Sequence, residues 1–139
     1  MNKKVWIGFI ASYVAFAILG YIVNDVILMG TYQSLSSVWR PDIAQKLWIF
    51  WITGLFYSFF FSFIFSKGYE GKGIAEGVRY GLYIGLMMEI PAAFGQYAVY
   101  PVPHSLALQW FIYGLIENII VGVVLAMVYG MKPKGAPAS

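Results

Sequence analysis

The sequence predicts an all-α fold, a four-helix transmembrane bundle with both termini in the cytoplasm, and three observations predict it. Of 139 residues, 60% are hydrophobic and only 11% charged, against about 25% charged in soluble domains. Four continuous apolar stretches, roughly residues 5–29, 47–66, 78–100 and 106–131, each reach the ~20 residues a helix needs to cross a bilayer. Lys3, Lys4, Lys67, Lys72, Arg79, Lys132 and Lys134 fall at the N-terminus, the second loop or the C-terminus, against Arg40 and Lys46 in the first loop and none in the third. The positive-inside rule then puts both ends inside. Continuous runs, not ~10-residue segments of alternating polarity, favour helices over a barrel.

Residues 1–131 read as one four-helix domain, followed by a flexible cytoplasmic tail, 132–139, rich in proline and small residues. Lys3 and Lys4 resemble the start of a signal peptide, but the apolar run exceeds the 7–15 residues of such a segment and no small-residue cleavage site follows. It is expected to remain as helix one. The absence of cysteine removes disulfides, thiol redox chemistry and thiolate metal sites. With His104 as the single histidine, an intrachain haem held by two histidines is excluded as well. No basic stripe suits nucleic acid, so the net charge of +3 reads as topology with mild attraction to anionic lipid.

Helix one is expected to end near Asn24 and Asp25, which either line an outward mouth or are solvated at a helix end. In the long outer loop 30–45, Trp39-Arg40-Pro41-Asp42 reads as an interfacial anchor opening helix two, with Asp42 and Lys46 at pairing distance along the helix. Helix two carries rings on every side, from Trp48 and Trp51 to Phe63 and Phe65. The glycine-rich loop 67–76 lacks the spacing of a phosphate-cradling loop and reads as a cytoplasmic turn. A faint parallel repeat relates Trp51…Gly54…Tyr57-Ser58 to Phe111…Gly114…Glu117-Asn118.

The residues that carry chemistry are Glu89 and Glu117. A carboxylate inside a bilayer costs a few kcal/mol and needs a partner, a proton or a cavity. Glu89 lies ten residues beyond Arg79, roughly 15 Å along its helix, and Glu117 fifteen before Lys132, roughly 22 Å, so both fall near mid-bilayer. Gly77, Gly81 and Gly85 lead at four-residue spacing to Glu89, and Gly114, Asn118, Gly122 and Ala126 form a similar stripe beside Glu117. Small stripes let helices approach closely, which turns the carboxylates toward protein. Pro91 removes a hydrogen bond to Met87 and is expected to kink helix three beside Glu89. Tyr57, Asn118, Gln96 and Tyr113 are the available partners. Three readings stay open: a protonated packing element, a proton relay or cation site, and a contact between subunits.

The segments Glu76-Gly-Val-Arg-Tyr-Gly81, Pro91, Tyr97-Ala-Val-Tyr-Pro-Val-Pro103 and Trp110 to Glu117 resemble uncharacterised small bacterial four-helix integral membrane proteins. The resemblance covers roughly the second half, implies a fold and no activity, and shows no small-multidrug-transporter pattern. The function expected is a proton- or cation-linked transporter or channel-like protein of the bacterial inner membrane, working as a homo-oligomer or within a membrane complex, surrounded by membrane lipids. The alternative is a non-catalytic module that binds a lipid, quinone or hydrophobic cofactor, or an accessory subunit. No motif supports an enzyme.

Overall fold

A computed structural model describes residues 2–131; the tail expected to be flexible, with Lys132 and Lys134, lies outside the described residues. The described chain is all-helical. Helix α1 spans Lys3–Tyr21 and runs on as a π-helical segment, Ile22–Ile27; α2 is short, Met29–Ser34; a 3₁₀ turn, Ile43–Lys46, leads into α3, Trp48–Gly68; α4 spans Ile74–Val99 and α5 His104–Gly130. Three helical stretches are long and apolar enough to cross a membrane: Lys3–Ile27, Ile43–Gly68 and His104–Gly130. The remaining long helix, α4, is the least apolar of the four because it carries Glu76, Arg79, Glu89, Gln96 and a run of glycines.

Glycine sets the tightest packing. A Cβ added to Gly77 would strike the Gly122 carbonyl, and one on Gly81 the Asn118 carbonyl, so α4 and α5 meet backbone to backbone. Such proximity gives the dispersion contacts that replace hydrophobic drive in lipid. Helix α1 packs on α3 and on α5. There Gly8 lies over Ser62, whose hydroxyl donates to the Val5 carbonyl at 2.9 Å. Helices α3 and α4 do not pack along their lengths. Tyr80 bridges them near one end, donating to the Phe61 carbonyl at 2.6 Å with its ring 4.9 Å from Phe61 and 5.1 Å from Phe65. Beyond Tyr80 they leave an apolar groove of about 350 Å³ walled by Phe56, Tyr57, Phe60, Ile84, Met87 and Met88. Most buried apolar residues form two clusters, Phe61, Phe65, Val121, Leu125, Ala126 and Tyr129 toward the end where α1 begins and Val23, Leu28, Val102 and Leu106 toward the other.

Three expectations are corrected. Helix one does not end at Asn24 and Asp25; the winding loosens to an i→i+5 pattern there, with the Leu28 N–H donating to the Val23 carbonyl at 2.8 Å. Single π turns of this kind keep the backbone bonded while inserting an extra residue. The first connection is not an open loop, since α2 and the 3₁₀ turn lie within it. Asp42 pairs with Arg40 at 2.6 Å and not with Lys46, because residues 43–46 wind as a 3₁₀ turn and lose the α-helical i, i+4 alignment. Pro91 sits within α4, which continues as one helix from Ile74 to Val99.

Candidate functional site

Each of three helices contributes one side chain to a polar chain. Tyr57 of α3 donates its hydroxyl to Asn118 Oδ1 of α5 at 2.5 Å. Asn118 Nδ2 donates to Glu89 Oε1 of α4 at 3.2 Å and to the Gly114 carbonyl at 2.8 Å. Asn118 is 2% exposed, and an amide at that depth keeps its orientation because both donor and acceptor ends are engaged. Gly114 makes room here: a Cβ would overlap the Glu89 carboxyl group that lies across it, and the acid would have to shift. The glycine stripe of α4 thus delivers Glu89 onto α5.

Glu117 sits one residue before Asn118 and points elsewhere, since successive helical side chains diverge by about 100°. It is half-buried and faces α1, with Oε1 3.9 Å from where a Gly20 Cβ would stand. From Gly20 a second polar chain leads toward α2. Asn24 Nδ2 donates to the Gly20 carbonyl at 3.0 Å, the Tyr32 hydroxyl donates to Asn24 Oδ1 at 2.6 Å, and Trp110 Nε1 donates to the Tyr32 hydroxyl at 2.8 Å. Trp39 Nε1 closes over the top by donating to the Tyr32 carbonyl at 3.0 Å. Burial beneath these indoles raises the Tyr32 hydroxyl above its ordinary phenol value.

The ion pairs among the described residues, Arg40–Asp42 and Lys72–Glu70, lie in the connections. Neither Glu89 nor Glu117 therefore meets a lysine or arginine among those residues. No group of three potential metal ligands occurs among them either. What the arrangement can hold is a proton or a cation at a carboxylate whose acceptor oxygen is oriented by a neutral amide.

Of the residues expected at a site, Tyr57, Glu89 and Asn118 come together, Glu117 lies beside them on α5, and Asn24 joins the second chain. Gln96 and Asp25 are exposed and make no side-chain hydrogen bond among the described residues. Tyr113 packs at the edge of the outer cluster. His104 begins α5 with its ring edge-on to Tyr97 at 5.6 Å. Sequence reasoning missed Tyr32 and Trp110, because aromatic residues near a membrane surface read as generic interfacial anchors. It also missed Glu76, 6% exposed, whose carboxylate accepts from the Glu70 N–H at 2.7 Å and the Lys72 N–H at 2.9 Å. The available signal was an acid in the first helical turn after a glycine-rich loop, and the anion held by that loop is the chain's own. No family model, curated protein or solved structure matches this chain.

Proposed function

We propose that the protein is a small integral membrane transporter or channel-like protein in which Glu89 and Glu117 alternately bind and release a proton or cation. In this reading the four long helices form a transmembrane bundle of the bacterial cytoplasmic membrane, with both termini inside, that works as a homo-oligomer. The observation that carries it is the Tyr57–Asn118–Glu89 chain, in which a buried amide orients a carboxylate with no basic partner among the described residues. Intramembrane acids so placed mark ion and proton pathways. Glu117, next to the Gly20–Asn24–Tyr32 chain, supplies the outward branch. Proton or cation flux into liposomes containing the purified protein tests it. Glu89→Gln and Glu117→Gln each abolish flux while leaving helicity and particle size unchanged; pH-dependent flux retained in both variants defeats the reading.

The groove between α3 and α4 supports a second reading, a module that binds a lipid, quinone or hydrophobic cofactor. Under it, native mass spectrometry of protein released from nanodiscs shows one retained apolar molecule, and the two glutamine variants leave ion flux at the empty-liposome level already shown by the parent.

A further inference from the structure

The inner end of the molecule holds a cavity that neither carboxylate uses. It measures about 370 Å³ and lies between the start of α1 and the ends of α3 and α5, more than ten times the ~30 Å³ share of a single water. Lys4 and Lys67 line it with Asn2, Ser66, Tyr69 and Tyr129, and no carboxylate does among the described residues. Lys4 Nζ donates to the Tyr129 carbonyl at 2.7 Å, which fixes the ammonium at the wall and leaves two further N–H donors. Lys67 Nζ stands 4.8 Å from the centre of the Phe63 ring. Neither lysine takes part in the ion pairs among the described residues. Helix α1 begins at the same place with Asn2 as its N-cap, so its dipole adds positive potential there.

An apolar face continues from this cavity. Phe63, part of its wall, stacks on Phe59 at 5.9 Å, and Phe59 lies 5.6 Å from Trp6 and 5.7 Å from Phe9. The exposed Trp6 and Phe60 extend that face along α1 and α3. Cationic donors at the rim and a strip of rings beneath match a phosphate ester that carries apolar tails. Inorganic phosphate would leave the rings unused, and a zwitterionic lipid would bring its own cation to the lysines.

We propose that this cavity binds the phosphate of an anionic phospholipid between Lys4 and Lys67, with the acyl chains lying on the Trp6–Phe59 face. The inference is independent of the transport reading, so Glu89→Gln binds the lipid as the parent does. The test titrates full-length protein in non-ionic detergent with phosphatidylglycerol or phosphatidylcholine of identical chains, counting bound lipid by native mass spectrometry. One phosphatidylglycerol site saturates roughly 30-fold more tightly than phosphatidylcholine. Lys67→Gln, on an exposed side chain, weakens it roughly fivefold, and the Lys4→Gln/Lys67→Gln double variant brings it to the phosphatidylcholine level. Lys72→Gln, at the same end but outside the cavity, changes nothing. Equal affinity for the two lipids, or parent-like binding by Lys67→Gln, overturns the proposal. Displacement of phosphatidylglycerol by millimolar inorganic phosphate also overturns it, in favour of a free-anion site.

Discussion

Asn118 donates to Glu89 at 3.2 Å while Tyr57, on a helix that does not pack along α4, donates to the opposite end of the same amide at 2.5 Å. The separation of α3 from α4 is therefore coupled to the carboxylate through one side chain. The Gly114 carbonyl, which accepts from the same amide at 2.8 Å, fixes its donor end toward Glu89.

Replacing Asn118 by Leu removes this link from both sides. The Glu89 carboxyl and the Tyr57 hydroxyl lose their partner at once, which costs about 1–3 kcal/mol. Tyr57→Phe deletes one hydroxyl and costs about 0.6 kcal/mol, near the mean for hydrogen bonds between membrane helices. Unfolding in mixed detergent micelles gives both values, and equal losses for the two variants would contradict the central position of Asn118.

Side chains added along the α4–α5 contact separate two backbones. Gly77→Val and Gly81→Val are each expected to cost at least about 1–3 kcal/mol, since neither facing carbonyl can move aside as a side chain would. Gly30→Ala, where an added Cβ meets nothing within 4 Å, serves as the control. The same unfolding measurement decides, and a neutral Gly81→Val would mean that α4 and α5 are further apart than described.

Glu76 clamps the loop before α4, where Gly71 and Gly73 adopt positive φ of 70° and 80°. Glu76→Ala leaves the Glu70 and Lys72 amides without their acceptor. Hydrogen exchange at those two amides should accelerate roughly ten- to hundredfold, with the centre of α5 unchanged. Unaltered exchange would assign the loop's order to its glycine turns alone.

The exposed pairs respond to acid. The Arg40 guanidinium bonded to Asp42 holds that carboxyl below its ordinary value, and Lys72 does the same for Glu70. A depressed folded-state pKa adds stability above the ordinary value and loses it as pH falls through the lowered one. Both pairs therefore remain ionic at neutral pH and lose their charge only as pH falls through the lowered values of Asp42 and Glu70. Carboxyl-carbon NMR titration should place both midpoints below those of Arg40→Gln and Lys72→Gln respectively, and coincident midpoints would show that the pairs do not form in solution.

Much of this geometry was legible in the sequence because glycine spacing is a strong signal where side chains cannot supply packing energy. The series Gly77, Gly81, Gly85 placed Glu89 on a protein-facing stripe, and Asn118, on the stripe through Gly114, was one of four partners the sequence offered. Composition also marked the apolar spans. The π-helical turn at Ile22–Ile27 was illegible, since no residue type signals a winding change that tertiary contacts select. The Arg40–Asp42 pair was missed because a 3₁₀ turn and an α-helical first turn share the same proline and acid signature. Tyr32 escaped because its role arises from Asn24 and Trp110, distant in sequence and joined only by the fold.

The backbone contact between α4 and α5 also orders the chain in time. Helix α4 leaves the ribosome before α5, yet its glycine face and Glu89 are covered by α5 alone among the long helices packed along it. In a bilayer an uncovered carboxylate costs a few kcal/mol, and α4 is the least apolar of the four. The surface that covers Glu89 is therefore made last, and a chain cut before Asn118 leaves α4 without the backbone it packs against.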